Sequence, residues 1–190
     1  MQNSIGKKMK LLIYSHAYPN PVEKARSAFV QEIARQLSEE MTVIVVSPVP
    51  YFLNLQRHRP EIKVPYHRQE SYEGRKIEVY HPRYLLLPKA ILNPVVAQLQ
   101  ALTTYLCIQR LHQAYKLDLV QINWGFPDGV AGGLICRKLK LPYIITEHQG
   151  SIANLLLKPY YRKLLVTAYN HASVLISVSA SLKQTMEKTP

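Results

Sequence analysis

Apolar positions along this chain follow two rhythms. Runs that are apolar at nearly every position occupy Lys10 to Ser15, Thr42 to Ser47, Leu119 to Ile122, Tyr143 to Thr146 and Val174 to Ser177. A parallel strand covered on both faces has this character, because neither face meets water. Lys76 to Tyr80 alternates and predicts one more strand. Between the runs the spacing becomes helical. Phe29, Val30, Ile33, Ala34 and Leu37 share a face of a first helix, which Ser27 is placed to cap. Val96, Leu99, Leu102, Leu106 and Leu111 mark a long helix over Asn93 to Tyr115, and a third is expected near Asp128 to Leu139. From Pro48 to Tyr72, prolines, aromatics and bases mix without either period, which predicts a long surface excursion.

Strand and helix alternate with short connections, the pattern of right-handed parallel crossovers. The expected fold is α/β, a doubly wound Rossmann-like parallel sheet in a single domain. Residues 1–8 read as a polar tail and residues 9–190 as the domain, long enough to bury one sizeable core. Nothing repeats at a fixed period, so solenoids are excluded. A helix begins at Ser179 and stops with the chain, which suggests a domain border there.

Charge and composition narrow the class. No apolar run approaches the ~20 residues that cross a bilayer. Met1 to Lys7 lacks the apolar centre of a secretory signal, so a cytoplasmic location is expected. Cys107 and Cys136 sit in apolar helical patterns without metal-ligand or Cys-x-x-Cys spacing, and read as buried free thiols. The net charge of +12, from 24 basic and 12 acidic residues, favours a polyanionic neighbour. Its bases are scattered and form no recognised nucleic-acid module, so nucleic acid is not the expected partner.

In an open parallel sheet, ligands gather beyond the carboxyl ends of strands. After the first strand stands His16-Ala17-Tyr18-Pro19-Asn20-Pro21, not the Gly-x-Gly-x-x-Gly of a dinucleotide site. Phosphate-loop and Gly-x-Ser-x-Gly motifs are also absent. After Ile122 comes Asn123-Trp124-Gly125-Phe126-Pro127-Asp128-Gly129. There Asp128 is placed to cap the next helix, and Trp124 is either a core residue or a wall for a sugar ring. After the following strand, Thr146-Glu147-His148-Gln149-Gly150-Ser151 sets a carboxylate and an imidazole before a helix start, a place suited to a polar or anionic ligand.

These stretches resemble the amino-terminal domain of glycosyltransferase family 4, a GT-B enzyme family. Phe126-Pro127-Asp128-Gly129 is similar to its Tyr-Pro-Asp-Gly-like turn, Thr146-Glu147-His148-Gln149-Gly150 to its Thr-x-His-Gly, and Ala172-Ser173-Val174-Leu175-Ile176-Ser177-Val178-Ser179 to its last amino-domain strand. The resemblance implies retaining transfer from a nucleotide-sugar donor to a sugar or lipid-linked acceptor, with no metal and no cofactor. It implies His148 as the catalytic residue facing the donor sugar. Ser27 and Ala28 would approach the donor phosphates, and Tyr18, Trp124, Asp128, Glu147 and Gly150 would lie on the acceptor side. Two departures stand out. Ser27-Ala28 occupies a place where the family usually has glycine, and the carboxyl-terminal donor domain with its Glu-x7-Glu pattern is absent from this sequence. Alone, the chain is therefore expected to be inactive; a non-catalytic module binding glycan, lipid or protein is the competing reading.

The excursion adds one surface. Arg57, Arg59, Lys63 and Arg68 interleave with Tyr51, Phe52, Leu53, Leu55 and Tyr66. This is either a solvated basic loop or a contact with an anionic membrane surface, and the nearby Leu85-Leu86-Leu87 run tips the balance toward the membrane.

Overall fold

The computed structural model describes residues 8–52, 63–86 and 95–188. Nine strands and six α-helices are described: β1 Lys10–Tyr14, α1 Ala28–Leu37, β2 Thr42–Val46, β3 Val49–Phe52, β4 His67–Tyr72, β5 Arg75–Tyr80, β6 Arg83–Leu86, α2 Val96–Tyr115, β7 Leu119–Asn123, α3 Val130–Leu139, β8 Tyr143–Glu147, α4 Ile152–Leu156, α5 Pro159–Asn170, β9 Val174–Ser177 and α6 Ala180–Glu187. Seven strands form one sheet in the order β4-β5-β2-β1-β7-β8-β9. All its pairings are parallel except the β4–β5 edge, and β3 pairs with β6 in parallel as a separate ribbon. This is the expected α/β Rossmann-like sheet.

The alternation of side chains across β1 explains why its whole run is apolar. Leu12 and Tyr14 enter one core, with Ala97, Ala101 and Ile108 of α2, Ala131 and Ile135 of α3, and Leu165 of α5. Leu11 and Ile13 enter the other, with Val43, Val45, Ile77 and Val79 beneath Val30 and Ala34 of α1. A strand buried on both faces loses water from every side chain, at roughly 1.5–3 kcal/mol for each large one. The two cysteines are buried and free, as read from the sequence.

The predicted excursion is only partly irregular: β3 and β4 lie inside it. β4 escapes a hydrophobic reading because its residues His67-Arg68-Gln69-Glu70-Ser71-Tyr72 alternate between exposed and partly buried, with no apolar face. It is held by its hairpin with β5, where Glu73 and Gly74 both take positive φ, 48° and 78°. That geometry suits the right-handed twist of a two-residue hairpin. Polar cross-strand bonds from His67 and Gln69 to Glu78 complete the pair. The predicted cap of α1 is also corrected. Ser27 is left-handed, φ 40° and ψ 51°, and its side chain makes no capping bond. Of the tail, Lys8 is described, its amine donating to the Glu39 carbonyl at 3.1 Å. Among the described residues, no helix is long and apolar enough to cross a membrane.

His81, just past β5, is fully buried. Its Nδ1–H donates to the Ser47 carbonyl at 3.1 Å, and Nε2 accepts from the Arg68 Nε–H at 3.3 Å. Desolvation holds its pKa down at about 4, against the smaller opposite pull of the Ser47 carbonyl. The unfolded chain therefore takes up a proton near pH 6.5 that the folded chain refuses until about pH 4. Stability should fall as pH drops through that window, at most by about 1.4 kcal/mol per pH unit from this residue. Urea unfolding at several pH values should show the loss, and His81→Gln should flatten it; an unchanged slope in the variant would contradict the assignment.

Candidate functional site

The carboxyl ends of β1, β7 and β8 meet at one edge of the sheet, with Tyr14 beside Ile122 and Asn123 beside Thr146. The chain leaving each strand brings a different side chain to that edge. β1 delivers His16, β7 delivers Trp124 and β8 delivers His148, while the start of α1 presents Phe29. These four rings form one cluster: centroids lie 5.6 Å apart for His16 and Trp124, 5.9 Å for Phe29 and Trp124, 5.0 Å for Trp124 and His148, and 4.9 Å for Phe29 and His148.

Two buried carboxylates hold the cluster in shape. Glu147 ends β8 with no exposed surface. Its Oε1 accepts from the amides of His148 and Gln149 at 3.0 and 2.9 Å, and its Oε2 accepts from the Gly125 amide at 2.8 Å and the Tyr169 hydroxyl at 2.6 Å. Four donors on one carboxylate offset the cost of burying its charge. Burial and the adjacent Glu147 charge push the Tyr169 phenol far up, so it stays a donor. The same bonds fix the turn after β7: Trp124 takes φ 69° and donates its amide to the Thr146 carbonyl at 2.8 Å. Expected to face the acceptor, Glu147 is instead enclosed, and it positions the residues that do reach the surface.

Asp128 is the second carboxylate, also fully buried. The sequence placed it as a helix cap, and this is corrected. Its Oδ2 accepts from the backbone amide and the Nδ1–H of His16, both at 2.8 Å, and its Oδ1 accepts from Gln100 at 2.7 Å. Asp128 thus ties the turn after β7 to the loop after β1.

His148 is partly buried, and burial lowers its pKa, which favours the neutral ring. Its Nε2–H donates to Asn123 Oδ1 at 3.0 Å, leaving Nδ1 as the acceptor. Trp124 is partly exposed and packs against the rim of the α1-side core.

The remaining sequence-predicted residues divide. Ser27 and exposed Ala28 open α1 beside Phe29, and Ser27 holds the left-handed conformation for which glycine is the usual residue. Tyr18 is fully buried and donates to Glu70 Oε2 at 3.0 Å, so it supports the site from within. Gly150 is exposed, and a Cβ added there would meet nothing within 4 Å. Arg68 is not a free surface base: it donates to the Pro19 carbonyl at 2.7 Å and pairs with Glu70. Lys63 is exposed, whereas Arg57 and Arg59 lie outside the described residues. Sequence reasoning missed His16, Phe29, Asn123 and Tyr169. His16 had a usable signal, as the first residue past a buried strand with a polar ring. Phe29 was read as core, and it is 43% exposed. Among the described residues, no group of three His, Cys, Asp or Glu side chains is arranged to hold a metal.

Fold and site together define a Rossmann-like α/β domain with an aromatic, histidine-bearing cluster at the strand ends. The sequence model of Glycosyltransferase Family 4 matches residues 27–189, and the chain belongs to that family. No curated protein matches the chain significantly. Among solved structures, it is similar to a Listeria monocytogenes protein described as a UDP-N-acetylglucosamine 2-epimerase, at 14% identity and TM-score 0.53 over 96% of this chain and 43% of that one. The UDP-GlcNAc 2-epimerase of Methanocaldococcus jannaschii is also similar, at 16% identity and TM-score 0.48 over 95% of this chain and 42% of that one. The chain spans less than half the length of these structures, and at such identity the first likeness shows the fold alone.

Gly125 has a packing reason for being glycine: a Cβ there would overlap the Tyr169 hydroxyl and the Glu147 carboxylate. Gly125→Ala should displace both and destabilise the domain by about 1–3 kcal/mol. Denaturant midpoints of the parent and variant check this, and equal midpoints would refute the crowding.

Proposed function

We propose that this chain is the acceptor-side half of a retaining glycosyltransferase, moving sugar from a nucleotide-sugar to a glycan or lipid-linked acceptor. The observation that carries the reading is the half-open cluster of His16, Phe29, Trp124 and His148 at the sheet edge. Aromatic faces pack against the apolar C–H side of a sugar, while imidazole nitrogens serve its hydroxyls. Family membership supports the same reading.

In this account His148 meets the donor sugar through its free Nδ1, and the first turn of α1, entered through Ser27 and Ala28, faces the donor phosphates. Unpaired amides and the helix dipole favour an anion there. Trp124 and Phe29 form the wall between donor and acceptor. Glu147 and Asp128 contribute by fixing those rings and need not touch substrate. The nucleotide is held by a second, donor-binding domain, and the structural neighbours carry more than half their length beyond the match. A single half cannot surround the charge that develops on the leaving phosphate, so the chain alone is inactive. The net charge of +12 and exposed Lys63 also suit peripheral contact with an anionic inner membrane face.

The decisive variant is His148→Ala, assayed with the chain joined to its donor-binding domain. Transfer of labelled sugar from nucleotide-sugars to extracted lipids should fall at least about 100-fold, as when one preorganised polar group is lost. The melting temperature should stay close to that of the parent, since the ring is only partly buried. Transfer at the parental rate would make His148 a packing residue; transfer by the 190-residue chain by itself would overturn the half-enzyme reading.

A further inference from the structure

His16 is the least explained member of the cleft. Its ring is only a quarter exposed, and its Nδ1–H is anchored at 2.8 Å on an Asp128 carboxylate with no exposed surface. The anchor is itself anchored. Asp128 Oδ2 also takes the His16 backbone amide, and Asp128 Oδ1 takes Gln100 Nε2 from α2, which is fully buried too. His81, by contrast, uses both of its nitrogens. In His16 only one is used: among the described residues, no hydrogen bond engages Nε2.

A carboxylate fixed on Nδ1–H selects the tautomer whose other nitrogen carries a lone pair. Such a ring, held against rotation by a bonded backbone and by Trp124 at 5.6 Å, is a preorganised hydrogen-bond acceptor. Its aromatic neighbour is Trp124, tilted at 59° to the ring. The missing donor must arrive with a ligand. We propose that His16 Nε2 accepts a hydroxyl hydrogen of the acceptor sugar, with Asp128 and Gln100 as the residues that position it. The proposal rests on the acceptor-side reading and adds to it the group that binds the acceptor. His148 and the start of α1 then serve the donor, and Trp124, between the two imidazoles, separates the two sugars.

The assignment also explains why the protein buries a carboxylate at Asp128 when a neutral residue would pack at lower cost. An apolar residue in its place would leave both the Nδ1–H and the backbone amide of His16 without this acceptor. Nothing would then hold the proton on Nδ1, and Nε2 could carry it and present a donor where an acceptor is required.

The test uses the chain itself, with methyl glucoside, mannoside and galactoside as probes and imidazole nitrogen NMR as the readout. The parent should show His16 protonated at Nδ1 and bare at Nε2, and at least one glycoside should shift the Nε2 signal on titration. Asp128→Ala, which removes the acceptor of the Nδ1–H, should abolish the Nδ1 tautomer preference and weaken that glycoside about tenfold, the scale of one lost hydrogen bond to a preorganised group. His16→Gln, which keeps a donor for Asp128, should weaken it as much, with the amide spectrum showing that the fold persists. Binding that survives both variants, or a parent ring protonated at Nε2, would overturn the role of His16 and leave the acceptor-side reading standing. Failure of every glycoside to bind the parent would overturn both.

Discussion

The buried carboxylate of Glu147 is the constraint on which the cleft depends. A parallel strand that ends at the edge of a sheet leaves amides pointing past its neighbours, and these need acceptors that the ladder no longer supplies. Glu147 provides two oxygens for three such amides, those of Gly125, His148 and Gln149, and takes the Tyr169 hydroxyl from α5 as well. The turn after β7, the turn after β8 and a helix from one face of the sheet are thereby joined at a single group. Trp124 and His148 are neighbours in sequence of the residues so held, which is why their rings meet at 5.0 Å.

Asp128 repeats the arrangement one strand over. It couples the turn after β7 to the loop after β1 and, through Gln100, to α2. The two carboxylates are both fully enclosed and both bonded only to neutral donors or rings. Their charge therefore stays where it orients the cleft without occupying it. For an anionic ligand, exposed carboxylates beside such a site would oppose binding. Enclosing them within hydrogen bonds removes much of that conflict while keeping the rigidity they confer.

Much of this was legible in the sequence. β1, β2, β7 and β8 were readable because they are buried and largely apolar, and β5 because it alternates; β9 was read as buried from its apolar residues, yet Val174, Leu175 and Ile176 are exposed at the edge of the sheet. Trp124, Glu147 and His148 were singled out because they follow buried strands immediately. What the sequence concealed were bonds made across the fold. Asp128 sits where a cap would sit, and only the closeness of β1 and β7 brings His16 to it. Tyr18 stands in a polar, proline-rich loop, yet it is drawn inward by Glu70 of β4, a strand that itself lacks an apolar pattern. Arg68 was grouped with surface bases for the same reason: without β4, nothing in the local sequence pairs it with Glu70 and Pro19. Phe29 fits the apolar stripe of α1 in spacing, but it lies in the first turn, ahead of the point where the helix meets the sheet, and so projects into the cleft.

Native-state hydrogen exchange on the parent and on Glu147→Gln tests this account most directly. The amides of Gly125, His148 and Gln149 should be protected in the parent and should exchange at least about tenfold faster in the variant, as a charge-assisted acceptor becomes a weaker one. Amides of Ile13 and Val45, deep in the sheet, should keep their protection relative to global unfolding. Unchanged protection at the three edge amides, or an equal loss across the whole sheet, would contradict the claim that this one carboxylate organises the cleft.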